Sequence, residues 1–396
     1  MKLGNCTLFQ SALVFFLAGT STSARDPGQD LLHVWITARR EDAADQGRKV
    51  LDGSTQEKFD GIMDSIRPNT VIHLGPGVFV TNGVHLKNNW RILGSGKDKT
   101  IIKLANNAPT ADNPPSASVL YNSDWEGFYH YIEISDLTLD CNRNNQPLFR
   151  RGGPGVLNAL TTATRNAKIT RVRALGTWAT FGEGFPFSVL SSGTKDGSNR
   201  VEIDSCENLN PMGPMTAIAA FDQTGTRISG FIRNCTVTND PAGVGFGAGG
   251  WKNFEVSHNR TRNLGAAIVI DTHDYENVRI QHNEFRRNIS YGVLYNGSGK
   301  YQDIVIENNF IEMAESARGG VMTNEATVST QIRKNTILQK SATAPALSLG
   351  PKTNGIVIDN IISEKVRSDL NGADIVLRRN RDANGRVITA LSRHAD

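Results

Sequence analysis

This sequence predicts a parallel β-helix. Three observations carry that prediction: a strand phrase that returns at a fixed period, Gly and Asn at the corners between short strands, and inner positions filled by Val, Ile and Phe in every copy. The phrase is an apolar-x-apolar strand closed within three residues by Asn or Cys. It reads Val201-Glu202-Ile203 to Cys206, Phe231-Ile232 to Cys235, Phe254-Glu255-Val256 to Asn259, Val278-Arg279-Ile280 to Asn283, Ile304-Val305-Ile306 to Asn309, and Ile332 to Asn335. The closing residues stand 24 to 29 residues apart. A unit that short holds strands and tight turns but no crossover helix. Stacking such units sets each inward side chain about 4.8 Å from its equivalent, so neighbouring coils bury apolar columns that one coil could not bury alone. The recurring Asn is expected at a corner in the left-handed region, which Asn tolerates better than most residues.

At the start of the chain, Lys2 precedes the apolar stretch Leu13 to Ala18, and Thr22-Ser23-Ala24 offers small residues, so residues 1–24 read as a signal peptide cleaved after Ala24. The apolar run is far shorter than the roughly 20 residues a membrane span needs, which points to a secreted or periplasmic protein. Residues 25–53 are polar and read as a leader. Residues 54–396 read as one domain, expected to be a monomer. Ser54-Thr55-Gln56-Glu57 spells a capping box ahead of Phe59, Ile62, Met63 and Ile66, and Pro68 stops the pattern. This short helix is expected to plug the open end of the solenoid.

After it come Val71-Ile72-His73-Leu74-Gly75-Pro76-Gly77-Val78-Phe79-Val80, Trp90-Arg91-Ile92-Leu93-Gly94-Ser95-Gly96 and Thr100-Ile101-Ile102, then Ile132-Glu133-Ile134-Ser135-Asp136-Leu137-Thr138-Leu139-Asp140-Cys141-Asn142. These phrases resemble the first and second coils of the pectate-lyase-like superfamily of right-handed parallel β-helices. The likeness spans roughly residues 55 to 380 as architecture. That fold carries lyases, hydrolases, epimerases and proteins without chemistry, so it implies a fold before an activity.

The formal charge is +4, falling by one without Lys2, a balance too weak to suggest a nucleic-acid partner. Loss of Cys6 with the leader leaves Cys141, Cys206 and Cys235. Cys206 and Cys235 share one corner position in adjacent coils, where a bridge is permitted, but small buried thiols are the preferred reading. No Cys-x-x-Cys or paired-His zinc motif is present. The irregular stretches 106–129, 143–158 and 176–199 carry Trp125, Trp178, Phe181, Phe185 and Phe187, which suit stacking on sugar rings or covering the coil flank.

A second short strand precedes each phrase by about ten residues: Val244-Gly245-Phe246, Ile268-Val269-Ile270, Val293-Leu294-Tyr295, Val321-Met322-Thr323 and Leu347-Ser348-Leu349. Aligning these brings Asp222, Gly247 to Trp251, Asp271-Thr272-His273-Asp274, Asn296 to Lys300, and Asn324-Glu325 to one corner. Asp271-x-His273-Asp274 resembles the Asp-Pro-His-Asp signature of mannuronan epimerases. That resemblance implies an active-site Asp and His, with a basic residue from a neighbouring coil against the sugar carboxylate. Thr272 replaces the family's Pro, and Ile268 stands where those enzymes carry a Tyr.

Removing a proton beside a carboxylate needs a base near neutral pKa and a cation to hold the developing charge. The expectation is therefore a lyase or epimerase acting on an acidic extracellular polysaccharide, with His273 as base, Lys300 against the carboxylate and Asp271 orienting His273 or binding sugar. Asp274, Asp222, Asn296, Asn324, Glu325, Trp251 and Trp178 complete the substrate-binding set. No cofactor is required by the sequence; calcium is an option through Asp222, Asp271 and Asp274, although no loop has a recognised calcium spacing. The alternatives are a glycoside hydrolase using Asp222 with Asp271 or Asp274, and a non-catalytic glycan-binding or cell-surface protein.

Overall fold

A computed structural model describes residues 31–40, 49–112, 115–122, 129–149, 155–180, 186–191, 199–213, 218–222, 227–239, 243–271, 273–296, 299–323, 327–341, 343–350, 353–363 and 374–388. The chain divides into Met1–Leu31 and Leu32–Asp396. The expected signal peptide lies outside the described residues, and all the coils belong to the second unit.

A coil of its C-terminal half is built on three strands, as in Ala266–Asp271, Tyr275–Gln281 and Glu284–Asn288. Every one pairs in parallel with its counterpart in the next coil, Ile268 with Val293, Ile280 with Ile306 and Phe285 with Ile311. The strands merge into a 26-stranded sheet and a 12-stranded sheet. One inner column of the smaller sheet runs Leu120, Leu160, Phe187, Ile218, Phe246, Ile268, Val293, Val321, Leu347, every member fully buried. The parallel β-helix read from the phrase is the fold observed. Among the described residues no helix is long and apolar enough to cross a membrane.

The helix Gln56–Ser65 forms where the capping box placed it. Thr55 accepts the Lys58 N–H, Phe59 and Met63 are buried, and Phe59 packs on Phe79 with ring centroids 5.0 Å apart. The stretch 25–53 is different from the leader expected. Leu32–Thr37 and Val50–Asp52 are strands, and the first pairs with both the second and Thr70–Leu74. The alternation of Val34 and Ile36 with His33 and Trp35 was enough to extend the stack by one coil, though it lies outside the repeat that marks the later coils.

The corner Asn residues form a buried ladder. Asn259, Asn283, Asn309, Asn335, Asn360 and Asn380 are nearly or fully buried. Each Oδ1 accepts the backbone N–H of the residue one coil back, from Cys235 N to Asn259 at 2.8 Å through Asn360 N to Asn380 at 3.1 Å. Each Nδ2 donates to a carbonyl of the preceding coil, such as Ile280 from Asn309 at 2.8 Å. The expected left-handed conformation falls one residue earlier: His258, His282, Asn308, Lys334, Asp359 and Arg379 have φ between 52° and 57°. The residue that turns the chain faces outward, so that the next side chain can reach into the stack. Cys206 and Cys235 occupy the ladder position in the coils before Asn259 as free, buried thiols, with Cys206 N 3.4 Å from Cys235 Sγ.

Candidate functional site

The corner of interest joins the smaller sheet to the phrase strands. Ile218–Asp222, Val244–Gly249, Ala266–Asp271 and Tyr291–Asn296 end there, and Ile228–Arg233, Trp251–Ser257, Tyr275–Gln281 and Tyr301–Glu307 leave it. The register differs from the expected one in two coils: Ala220, not Phe221, stands level with Ile270, which moves Asp222 out of line with Asp271, and the Val244 strand is shifted by two residues. Phe246, two residues after Val244, pairs with Ile268, because the strand continues through Gly247, Ala248 and Gly249. Gly249 therefore lies beside Phe221, and a Cβ there would stand 2.5 Å from its ring. The absent side chain lets the Phe221 ring extend over the next coil and meet His273 edge-on, centroids 4.9 Å apart.

His273, partly buried, is thus held against an aromatic ring, and Gly299 packs closely on its main chain. The Lys300 N–H donates to Asp274 Oδ1 at 2.9 Å, while the Lys300 ammonium makes no ion pair among the described residues. The other Asp274 oxygen faces Arg227 Nη2 at 3.3 Å. Arg227 was not foreseen. Its backbone is left-handed, φ 60°, its N–H donates to Asp222 Oδ2 at 2.7 Å, and its Nη1 meets Glu276 at 2.5 Å. Lys252 adds a second cation to Glu276 at 3.1 Å. Arg227 and Lys252 so converge on two carboxylates, one of which also accepts the Lys300 backbone N–H. The Lys300 N–H, then Arg227, hold the Asp274 carboxyl below its ordinary value; Lys252, then Arg227, do the same for Glu276.

That depression has a sign. A carboxylate with a lowered folded pKa stabilises its contact above the ordinary Asp value and loses it as pH falls through the lower one. The Asp274–Lys300 tie is expected to persist through pH 4 and open only at more acid pH. The Lys300 amide shift in a pH-dependent 15N NMR titration checks this, and an inflection above the ordinary Asp pKa of 3.8 counts against it.

Other expected site residues lie elsewhere. Asp222 is fully buried beneath the corner. Trp251 is core, stacked on Phe254 at 4.3 Å with Nε1 donating to the Ala220 carbonyl at 2.9 Å, so a sugar has no access to its face. It starts an inward aromatic row with Tyr275 and Tyr301, whose rings stack at 5.2 Å. Trp178 is also in the core, paired through its backbone with Leu157. Asp271 and Asn296 are register partners at the ends of adjacent strands. Thr272, Asn324 and Glu325 lie outside the described residues. Tyr275, Tyr295 and Tyr301 are buried, and burial pushes the Tyr295 hydroxyl far above its usual pKa. None of the three opens to the corner. The aromatic-polar pairs Trp251-Lys252, Tyr275-Glu276 and Tyr301-Gln302 are a signal in the sequence that marks this strand start.

These coils define the class of protein: a right-handed parallel β-helix. A family profile described as "Periplasmic copper-binding protein (NosD)" matches residues 203–382, less than half of the chain. Among solved structures, the Streptococcus pneumoniae surface protein and adhesin PfbA is similar at 13% identity and TM-score 0.51, over 88% of this chain and 97% of that one. The Azotobacter vinelandii mannuronan C-5 epimerase AlgE4 A-module matches at 15% identity and TM-score 0.49, over 90% and 100%. An exopolygalacturonase from Thermotoga maritima matches at 13% and 0.45, over 91% and 94%. At these identities the likeness speaks to fold alone. No curated protein matches the chain in sequence.

Among the described residues of those coils, the profile's copper finds no set of three ligands. Among the described residues no group of three or more His, Cys, Asp or Glu is placed to hold a metal ion. Burial pushes the Cys235 thiol up, away from the thiolate a metal needs. His258 and His282 stack ring on ring, centroids 5.1 Å apart, with no third ligand beside them among the described residues.

Proposed function

We infer that this protein is a secreted or periplasmic β-helix that acts on an acidic polysaccharide at the His273 corner, as a lyase or a uronan epimerase. One observation carries the reading: Asp274 binds the Lys300 N–H on one oxygen and Arg227 on the other, which fixes a cation-rich rim beside a half-buried imidazole. In this reading His273 takes the proton next to the uronate carboxylate, and Lys300 offsets the charge that develops on that carboxylate. In a lyase the electron pair forms the ring double bond as the glycosidic oxygen leaves and is protonated. In an epimerase a proton returns to the same carbon from the opposite face. Asp271 orients His273 or binds sugar, with Asp274 and Asn296 along the same corner; Asn324 and Glu325, read as further sugar contacts, lie outside the described residues. The profile's periplasmic description is in keeping with export.

The hydrolase alternative loses support, since Asp222 is fully buried and occupied by the Arg227 N–H, leaving no face for a water. Calcium stays an optional addition, and cations and N–H groups already engage Asp222 and Asp274. A glycan-binding role without turnover is the second reading. It is favoured by Ile268, fully buried at the epimerase Tyr position, together with the buried Tyr275, Tyr295 and Tyr301. Ultraviolet absorbance of unsaturated uronides, followed across alginates, pectates and glycosaminoglycans with and without calcium, tests for a lyase; proton NMR of the recovered polymer tests for an epimerase. His273→Ala is expected to lower turnover by about 10² to 10⁴ with the fold intact. Undiminished turnover in that variant removes His273 from the chemistry, and glycan binding without turnover in the parent protein favours the second reading.

A further inference from the structure

At the opposite end of the solenoid from the profile match, two imidazoles meet nitrogen to nitrogen. His33 Nδ1 lies 3.0 Å from His73 Nε2, on the outer face of the strands Leu32–Thr37 and Thr70–Leu74. The pairing register places Trp35, not His33, beside His73, so the two histidines are diagonal neighbours. Val34 and Ile36 alternate with them and pair with Ile72 and Leu74, which fixes His33, Trp35 and His73 on one face. The rings are already aligned: His33 and His73 are 20° apart at 5.2 Å, and the Trp35 indole lies on His73 at 4.9 Å and 7°.

We propose that His33 and His73 form a two-histidine site for a borderline divalent transition cation of the Cu²⁺, Ni²⁺ or Zn²⁺ class. Two imidazole nitrogens each about 2.0 Å from one ion stand roughly 2.8 to 3.3 Å apart in square-planar or tetrahedral geometry. The observed separation falls in that range, so binding keeps the two nitrogens where they stand and turns the ring axes to converge on the ion in place of the shared N–H···N proton. Stacking on Trp35 restricts rotation of His73, and the parallel strands hold the two Cα positions, which lowers the ordering cost. His33 is exposed, so the ion has an open approach. For a pair of imidazole ligands, the order of affinity should follow the general preference of nitrogen sites, Cu²⁺ first. The site would clamp the outermost described coil onto the one after it, independently of the chemistry at His273.

Titrating the full chain with Cu²⁺ at neutral pH tests this. Trp35 is the reporter: saturable quenching of its emission with one equivalent is expected. His33→Ala and His73→Ala should each weaken binding by at least about tenfold, a difference of about 1.4 kcal/mol. Trp35→Phe should remove most of the optical signal while calorimetry still registers the ion. Electron paramagnetic resonance of the bound Cu²⁺ should show two imidazole nitrogens. Binding unchanged in both histidine variants, or lost in a His258→Ala, His282→Ala double variant instead, overturns the proposal, as does an absence of saturable binding.

Discussion

Asn309→Ala is expected to destabilise the solenoid by about 3 to 5 kcal/mol, more than most single substitutions in a surface corner. The side chain accepts the Asn283 N–H at 3.0 Å, donates to the Ile280 carbonyl at 2.8 Å, and donates again to Asn335 Oδ1 at 2.9 Å. The first of these contacts leaves a buried N–H without a partner when the side chain is cut back, and the second leaves a buried carbonyl. Each orphan costs about 1 to 3 kcal/mol, and the corner is too tightly stacked to admit water in compensation. Because each coil touches only its neighbours, the loss falls on the interfaces above and below residue 309 and not on the whole chain. Guanidinium unfolding of the variant measures it. A double variant with Asn335→Ala should lose less than the two single variants added together, since the Asn309–Asn335 contact is counted in both. A shift below about 1 kcal/mol would show that the ladder is not what clamps the coils.

The ladder also shows how far the sequence could be read. Its period was plain because Asn, or Cys at 206 and 235, recurs at one position, and the inner columns from Ile218 to Leu347 follow from apolar alternation. The turning residues beside it were hidden, since Ser205, Asn234, His258, His282, Asn308, Lys334, Asp359 and Arg379 share a backbone angle and no chemistry. Leu32–Thr37 was missed for want of a second copy of its phrase. The shift at Val244–Gly249 was missed because three of its six residues are Gly and carry no inside-outside signal. At the corner, Asp271-x-His273-Asp274 was visible as a cluster of titratable groups. Arg227 was not, because it precedes its phrase in a turn where neighbouring coils have unrelated residues. Trp251 was placed at the corner by aligning the strand before it, whereas strand pairing puts it in an inward aromatic row with Tyr275 and Tyr301.

Gly299→Ala is expected to separate site from scaffold. A Cβ at residue 299 would stand 1.8 Å from the His273 carbonyl oxygen and 2.5 Å from its carbon. No real side chain survives at that distance, so residues 299 and 300 must move away from His273. That motion breaks the 2.9 Å bond from the Lys300 N–H to Asp274 and takes the ammonium with it. The cost to stability should stay near 1 to 3 kcal/mol, as for other overpacked positions, because the corner lies outside the apolar columns. The cost to function should be larger: a displacement of about 1 Å at a reacting group is worth about 10²-fold. Turnover or affinity for an acidic glycan should therefore fall about 10²-fold while the thermal midpoint moves by a few degrees. Lys300→Ala should lose a similar factor, and the double variant little more, since both remove the same ammonium from the same place. If Gly299→Ala keeps full activity on a glycan that the parent protein turns over, Lys300 is only a surface residue. The chemistry would then have to rest on His273 with Arg227, the cation paired with Asp274.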